Sequence, residues 1–341
     1  MVFRNGEATA RATGLLVGLV ADRVFGDPRK FHPVAGFGTG AAKLETRTYR
    51  DSRTAGVLHV AILVGGATIA GALTEAAAKR LRWGGQVAVT GIVTWCVLGG
   101  TSLARTGENM AELLERDDIA GARELLPSLC GRDPSHLDAD ALARAALESV
   151  AENTSDATIG ALFWGAVAGV PGLIGYRATN TLDAMIGYRS DRYQRFGWAA
   201  ARWDDLVNLA PARATGVLTV LAAPVVHGSS ASAWQAWRRD AAKHPSPNAG
   251  VAEATAAGAL GVSLGGRTEY SYGVEQRPVL GSGPAPIVQD LCRGAKLSRA
   301  VQIGGGLGSA ALAVAIGQFR LRRRERRRRS TLTTRRGRRH A

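Results

Sequence analysis

The chain has 341 residues with 43 basic and 28 acidic side chains, a formal net charge of +15, and 46% hydrophobic residues. The charge is unevenly placed, because residues 320–341 hold twelve arginines and one acid, a net +11 that leaves only +4 for the rest. No aromatic residue follows Phe319 and the arginines directly follow an apolar segment, which argues against a nucleic-acid-binding protein. Cys96, Cys130 and Cys292 show no paired spacing, so no disulfide framework or zinc site is indicated.

The apolar residues lie in blocks that are low in charge and rich in alanine, glycine, valine and leucine. Seven blocks cover residues 15–24, 55–78, 86–104, 157–176, 206–226, 250–264 and 300–319. A helix needs about 20 apolar residues to cross a bilayer, so the second, third and seventh blocks are the clearest spans. Small residues also suit close helix packing in lipid. The sequence therefore predicts an all-α, multi-pass integral membrane protein in which polar helical loops connect the spans.

The weaker blocks complicate the topology. Block 157–176, which contains Pro171, and block 250–264 are candidates for re-entrant or internally packed segments. We expect residues 1–319 to form a single membrane domain with a polar helical insertion at about 105–156, and residues 320–341 to form a basic, disordered tail. No cleavable signal peptide is expected. A basic tail after a final span predicts a cytoplasmic C-terminus in the inner or plasma membrane.

The first polar segments follow the first block. The stretch ADRVFGDPRKFHPVAGFG contains helix-breaking prolines and glycines, which leave Asp22, Asp27 and His32 near a membrane surface. Residues 38–54 predict an amphipathic helix on the membrane face, because four basic residues recur there. Further on, Asp138 is placed to cap a helix that begins after it.

The acids Glu148, Glu152 and Asp156 are spaced four apart, so a helix brings them to one face, with Asn153 at its edge. Three adjacent carboxylates repel one another unless solvent or a cation neutralises them. Oxygen ligands at this density suit a hard ion such as Mg2+. Spacing alone does not separate this interpretation from that of a solvated acidic face.

A second polar group follows the apolar block 157–176. Asn180 and Asp183 are three apart and are followed by aromatic, basic and acidic residues at Tyr188, Arg189, Arg192, Tyr193, Arg202, Asp204, Asp205 and Asn208. Polar groups at the rim of a bilayer usually serve a pathway or a site. The pattern thus predicts two metal- or phosphate-handling clusters that flank one apolar segment.

The C-terminal third adds further anion-binding candidates. Arg213 lies so close to an apolar run that it either extends to the membrane surface or binds phosphate. In KHPSPNAG, His244 precedes a helix that Asn248 is placed to cap, and a helix start is also an anion site. Residues 266–299 are expected to form a loop rich in glycine and proline.

Several long motifs resemble the CobD/CbiB family of cobalamin biosynthesis proteins. They are DRVFGDPRKFHPV, ESVAENTSD, YRATNTLDAMIGYRSDRYQRFGWAAARWDDLVNLAPAR and HPSPNAGVAEATAAGALGV, which together cover most of residues 14–282. Their joint length and order make the resemblance specific. It implies a multi-pass membrane enzyme, an adenosylcobinamide-phosphate synthase, that uses ATP to join aminopropanol phosphate to a carboxyl side chain of adenosylcobyric acid.

The resemblance and the residue chemistry together give the candidate site. The catalytic candidates are Glu148, Glu152, Asn153, Asp156, Asn180 and Asp183. The metal candidates are Glu148, Glu152, Asp183, Asp204 and Asp205. The substrate-binding candidates are Asp27, His32, Tyr188, Arg189, Arg192, Tyr193, Arg202, Arg213, His244 and Asn248. Carboxylates suit Mg2+ and arginines suit phosphates or the acidic corrinoid, as phosphoryl transfer requires.

Other functions stay open at this stage. ATP is implied only by the resemblance, because the chain has no GxxxxGK[ST] motif. A membrane-embedded, Mg2+-dependent prenyltransferase would also carry acid clusters at helix ends, and a corrinoid transporter would place charges beside broken helices. A scaffold for other cobalamin-pathway membrane enzymes is the remaining alternative. The expected partners are the two substrates, the lipid bilayer and such enzymes, but no nucleic acid.

Overall fold

The computed structural model describes residues 6–28, 32–188, 190–270 and 273–337, and beyond Arg323 the backbone alone. The helices are α1 (Gly6–Phe25), α2 (Pro33–Thr48), α3 (Arg53–Ala78), α4 (Trp83–Val97), α5 (Gly100–Glu115), α6 (Ile119–Leu125), α7 (Ala139–Thr154), α8 (Gly160–Ala168), α9 (Val170–Leu182), α10 (Tyr193–Phe196), α11 (Trp198–Ala222), α12 (Ser230–Asp240), α13 (Ala249–Leu260) and α14 (Val288–Gly337). Strands β1 (Ser263–Tyr270) and β2 (Gly273–Gly281) pair antiparallel. The helical fold class is confirmed, with this hairpin as the only sheet among the described residues.

Among the residues that the structure describes, four helical segments are long and apolar enough to cross a membrane. They are Arg53–Ala78, Trp83–Glu115, Tyr193–Val226 and Val288–Arg323. The three blocks predicted as the clearest spans all lie within them. On α3 the large apolar side chains of Ile62, Ile69 and Leu73 are exposed, as expected of a helix that faces lipid. The chain is therefore a helical membrane protein.

Small residues set the packing of the membrane-embedded helices, as predicted. Gly14 and Gly18 of α1 lie four residues apart and face Thr90 and Thr94 of α4, where a Cβ atom on either glycine would overlap the threonine. Without side chains the two backbones approach closely, and the threonine methyl groups fill the space. Contacts between α1 and α14 likewise place glycines against side chains of the partner helix.

Helix α1 runs between two chemically different ends of this helical core. At its start Ala8 faces Gly317 of α14, beside the basic residues 79–82 and the arginine-rich tail; we call this the basic end. At its other end the Asp22 carboxylate accepts a hydrogen bond from the Thr101 backbone N–H at 3.0 Å; we call this the polar end. The fourteen helical steps from Ala8 to Asp22 span about 21 Å at the helical rise of 1.5 Å per residue.

The apolar block 157–176 is folded as a hairpin of two short helices and not as a span. It turns at Gly169, whose φ of +75° is readily adopted by glycine, and the next N–H, that of Val170, donates to the Glu75 carboxylate at 2.9 Å. A Cβ at Gly169 would overlap Glu75 and approach Arg11 closely. Helix α8 therefore runs away from the polar end and α9 runs back to it. Asp156, just before α8, and Asp183, just after α9, both lie at the polar end.

The C-terminal third contains one confirmed expectation and one that is wrong. All twelve residues of α13 are buried, so block 250–264 is packed within the protein. The loop expected at 266–299 is instead the β1–β2 hairpin followed by the start of α14. Glycine and proline suggested a loop there, but Gly265 and Gly266 form a bulge in β1 with φ of +87° and +83°.

Candidate active site

Two π-helical turns present the central acids. Asp156 lies in the turn Ser155–Ile159 between α7 and α8, and Asp183 begins the turn Asp183–Gly187 after α9. A π-turn adds a residue to the helical repeat and changes the direction of the side chains that follow, which is why such turns are frequent at functional sites. Both turns lie at the ends of the α8–α9 hairpin, so the hairpin brings the two sequence-predicted clusters together.

Five carboxylates form what we call the acidic cluster: Glu152, Asp156, Asp183, Asp204 and Asp205. Burial, followed by the charges of Asp205 and Glu152, raises the pKa of Asp183 to about 6 from its ordinary 3.8. The pKa of Asp156 is raised well above its ordinary value by burial, then by Asp204, Glu152 and Asp183. Burial also raises the pKa of Glu152, although Arg277 and Arg132 oppose the shift. The cluster thus concentrates negative charge that a cation would relieve.

Asp204 is the acid most clearly prepared for a ligand. Its Oδ2 accepts a hydrogen bond from the Asn208 amide at 2.9 Å, whereas its buried Oδ1 has no hydrogen-bond partner among the residues that the structure describes. The Asn208 Oδ1 accepts in turn from the Tyr176 hydroxyl at 2.8 Å, and the same hydroxyl lies 3.1 Å from the Asp156 carbonyl oxygen. These bonds orient the Asp204 carboxylate. A buried oxygen without a partner points to water or an ion.

The acidic cluster fits a partly hydrated ion. In the part of the chain that the structure describes, no three acidic, histidine or cysteine side chains are grouped closely enough to bind a metal by themselves. Mg2+ is usually held by one or two carboxylates with water and substrate phosphates, so a ready-made cage is not required. The unpaired Asp204 oxygen and the neighbouring carboxylates are the donor type that this ion prefers.

Glu148, predicted as a catalytic residue and metal ligand, is bound by arginines. Its carboxylate pairs with Arg132 and with Arg277, the latter at 3.4 Å, and accepts the Gly265 N–H at 2.7 Å. Arg277 also pairs with Glu253 at 3.2 Å and contacts His244. Burial and the Arg277 charge lower the pKa of His244 to about 4, so this imidazole is neutral at pH 7. Glu148 therefore ties α7 to the β hairpin.

The substrate-binding candidates are distributed around the acidic cluster. Arg202 pairs with Asp205 at 3.7 Å, which places it at the rim of the cluster. Arg213 donates to the Asn248 side chain at 2.8 Å, and the Asn248 amide donates to the Asp205 carbonyl oxygen at 2.7 Å. Asn248 begins α13 as predicted, but its side chain links α11 and does not cap the helix.

Other candidates have structural partners. Arg192 and Tyr193 both bind the Glu45 carboxylate of α2, at 2.8 and 3.1 Å. His32 caps α2 by accepting the Val34 N–H at 3.2 Å. Asn153 donates to the Ser149 carbonyl oxygen within α7, Tyr188 is exposed, and Arg189 lies outside the described residues. Asp138 caps α7 as predicted.

Sequence reasoning missed Arg177, which lies between the two polar groups. Its Nη1 donates to the Asn180 Oδ1 at 3.3 Å, and the charges of Asp27, Asp156 and Asp22 surround it. The available signal was spacing, because Arg177 precedes Asn180 by three residues and so shares its helical face. It was overlooked because it directly follows the apolar block 157–176.

Fold and site define a class: a helical membrane protein with a recessed acidic cluster at one end of its core. The profile of the family described as CobD/Cbib protein matches residues 15–303. The "Cobalamin biosynthesis protein CobD" of Mycobacterium tuberculosis is 60% identical over 294 residues, 86% of this chain and 93% of the relative. Relatives with the same name from Rhodobacter capsulatus and Chromobacterium violaceum are 46% and 40% identical, over 80% and 83% of this chain and 86% and 90% of their own lengths.

This chain belongs to the CobD/CbiB family, as the motifs indicated. No solved structure matches it.

Proposed function

We propose that the protein acts in cobalamin biosynthesis and catalyses the ATP-dependent ligation of aminopropanol phosphate, or a related amino alcohol, to adenosylcobyric acid. The product would be adenosylcobinamide phosphate. The observation that carries the proposal is the acidic cluster, in which the unpaired Asp204 oxygen lies among carboxylates of raised pKa. Membership of a family whose relatives are named for cobalamin biosynthesis supplies the pathway.

The chemistry proceeds in two balanced steps. A carboxylate oxygen of the corrinoid attacks the γ-phosphorus of ATP, the bond to the β-phosphate oxygen breaks, and ADP leaves, which gives an acyl phosphate. The amine nitrogen then attacks the acyl carbon, the carbon–oxygen bond to phosphate breaks, and the nitrogen loses a proton as the amide forms. Positioning and charge neutralisation dominate such transfers.

The residues divide this work by charge. Mg2+, held by Asp204 with Asp183 or Asp205, would neutralise the phosphates of ATP. Arg202 and Arg213 stand at the rim, where guanidinium groups would bind phosphate or corrinoid carboxylates. Glu152, whose pKa is raised, would accept the proton that the attacking amine releases.

Location follows from the substrates. ATP is cytoplasmic, so we place the polar end of the helical core at the cytoplasmic face of the cell membrane. The lipid bilayer and other membrane enzymes of the pathway are the expected partners.

Transfer of an oxygen label tests the reaction directly. Purified protein in detergent receives ATP, Mg2+, aminopropanol phosphate and adenosylcobyric acid that carries 18O in its reacting carboxyl group. We expect one 18O atom in each phosphate released, with equal amounts of ADP and adenosylcobinamide phosphate. Label recovered in AMP would replace the acyl phosphate by an acyl adenylate. No product from a protein that still binds the corrinoid would favour transport or scaffolding.

A further inference from the structure

A recess of about 280 Å³ opens at the basic end of the helical core, between the first turns of α1 and the last apolar turns of α14. Arg11, Lys79 and Arg320 lie in its wall, together with the apolar side chain of Ile316. We call this space the basic recess. Because it lies at the opposite end of α1 from Asp22, it is separate from the site described above.

Basic side chains outnumber acids around the basic recess. Arg11 and Lys79 both pair with the Glu75 carboxylate, at 3.3 and 3.1 Å, so one negative charge serves two cations. Among the described residues no acid pairs with Arg320, and Glu7 is the acid in the wall itself. Three bases against these two acids leave a net charge of +1 at the recess, which suits an anion.

Arg11 is held in place before any ligand binds. Its Nη1 donates to the Ala166 carbonyl oxygen at 3.3 Å, and its Nη2 donates to Glu75 at 3.3 Å. Glu75 also accepts the Val170 N–H at 2.9 Å, so these bonds fix the guanidinium against the turn of the α8–α9 hairpin. A charge that is already positioned loses little side-chain entropy when an anion binds. This separates the basic recess from a surface on which basic side chains move freely.

Trp83 places the basic recess at the level of the lipid headgroups. Its indole N–H donates to the Thr9 hydroxyl at 3.3 Å, and the residue is 49% exposed at the start of α4. Exposed tryptophan is enriched where a bilayer meets water. Along α14, the apolar Ile316 lies about one turn closer to the membrane interior than Arg320. The recess thus has an apolar wall on the membrane side of a basic one, which is the order of groups in a phospholipid.

We propose that the basic recess binds an acidic phospholipid of the surrounding bilayer, with the lipid phosphate on Lys79 and Arg320 and the upper part of its acyl chains against Ile316. Ammonium and guanidinium groups are strong donors to phosphate oxygens. Arg11 adds a fixed positive charge in the wall, whereas the charge of Glu7 opposes the phosphate. The assignment does not depend on the proposed ligation, because no residue of the acidic cluster lines the recess.

The bound lipid links three parts of the chain. Arg11 belongs to α1, Lys79 directly follows α3, and Arg320 belongs to α14. A ligand that contacts all three parts binds the folded state and not the unfolded chain, so it raises the melting temperature. Inorganic phosphate offers the same anion without acyl chains, so it lacks the apolar contact with Ile316.

Lipid retention, measured by native mass spectrometry on the full chain in detergent, tests the assignment. Phosphatidylglycerol and phosphatidylcholine with identical acyl chains are added separately to wild type, Lys79→Gln and Arg320→Gln. Arg80→Gln is the matched control, since Arg80 is exposed on the same connector as Lys79 but does not line the recess. We expect wild type to retain phosphatidylglycerol in preference to phosphatidylcholine. Lys79→Gln and Arg320→Gln should each weaken phosphatidylglycerol about fivefold, the loss typical of one basic residue beside acidic lipid, and Arg80→Gln should not.

Two further measurements use the charge and the fold. Glu7→Gln should tighten phosphatidylglycerol, because it removes the charge that opposes the phosphate. Phosphatidylglycerol should also raise the melting temperature of wild type more than that of Arg320→Gln. This variant removes no ion pair among the described residues, so it separates lost lipid binding from lost folding.

Contrary results are equally specific. Equal retention of the two lipids, or a loss in Arg80→Gln as large as in the two recess variants, would overturn the assignment in favour of general attraction to a basic surface. Displacement of the lipid by inorganic phosphate would identify a site for soluble anions and would also overturn it. A protein that retains phosphatidylglycerol as expected but makes no adenosylcobinamide phosphate keeps the lipid site and refutes only the ligation.

Discussion

Asp183 is one acid of the acidic cluster that changes its charge near neutral pH. Its pKa of about 6 lies above the ordinary 3.8, so the folded protein holds a proton that the unfolded chain releases between these values. Without a cation, this contribution to stability is present below pH 3.8 and is lost as the pH rises through about 6. A cation can replace the proton only once the carboxylate is ionised.

Thermal unfolding with and without Mg2+ measures this exchange. We expect Mg2+ to raise the melting temperature of wild type at pH 8 and to have little effect at pH 5. At ten times its Kd the ion adds about 1.4 kcal/mol of stability. The shift should be much reduced in Asp183→Asn at pH 8. An equal Mg2+ effect at pH 5 and pH 8 would show that the ion binds elsewhere.

Glu148 behaves as a structural carboxylate because both of its oxygens are occupied. We expect Glu148→Gln to cost about 3–5 kcal/mol in the free energy of unfolding, since it leaves two buried arginines short of one negative charge. Denaturant unfolding in detergent measures the loss. Exposed Glu112→Gln, which breaks only a surface pair with Arg116, serves as control and should cost less than about 1 kcal/mol. A fully stable Glu148→Gln would contradict this structural role.

At the scale of elements, the π-turn after α9 holds the Asp183 carboxylate in place. The Asp183 carboxylate lies against Gly187 at the end of the turn. This contact is possible because glycine has no Cβ, and a Cβ there would overlap the Asp183 Oδ1. The sequence pattern placed Asp183 beside Asn180 on one helical face but gave no sign that the helix widens after Leu182.

Gly187→Ala should therefore displace the Asp183 carboxylate. We expect turnover to fall about tenfold or more, because displacements of about 1 Å in a catalytic group carry losses of this size or larger. The stabilisation by Mg2+ should fall as well. Gly66→Ala on α3 is the matched control, since nothing lies within 4 Å of its added Cβ. Wild-type turnover in Gly187→Ala would mean that the position of Asp183 is not critical.

Prediction from the sequence succeeded where a local rule decides the outcome. Composition predicted the long apolar helices, and the pattern of a helix start predicted the Asp138 cap. The sequence did not reveal that Glu148 meets arginines from distant segments, because such pairs depend on how α7 packs against the hairpin. Arg277 came from a stretch expected to be a loop, so its role was beyond local reasoning.

For the whole molecule, the basic and polar ends of the helical core constrain the topology. Gln302 of α14 bonds to Gly100 at the polar end, and Gly317 faces Ala8 at the basic end. The fifteen helical steps between Gln302 and Gly317 rise about 22 Å. A membrane crossed by α14 therefore separates the arginine-rich tail from the acidic cluster. The charge of the tail favours a cytoplasmic tail, and the proposed use of ATP favours a cytoplasmic acidic cluster. With α14 across the membrane, these two placements exclude each other.

Reporter fusions decide between these placements. Because the proposed ligation uses ATP, we expect a reporter after Arg323 to be active outside the cytoplasm and one inserted in the exposed connector at Arg116 to be active inside. Accessibility of single cysteines at the same positions, in a cysteine-free background, provides a second measurement. A cytoplasmic tail together with an external Arg116 would contradict ligation from the cytoplasmic ATP pool.

The account depends most on the acidic cluster being the place where amide ligation occurs. The decisive measurement is the rate of adenosylcobinamide phosphate formation by Glu152→Gln and Asp183→Asn, compared with wild type and with Asp140→Asn, an exposed acid on the same helix as Glu152. We predict that both cluster variants fold, insert and bind corrinoid but lose at least about a hundredfold in rate, while Asp140→Asn keeps the wild-type rate. Folded cluster variants that turn over at the wild-type rate would contradict the account.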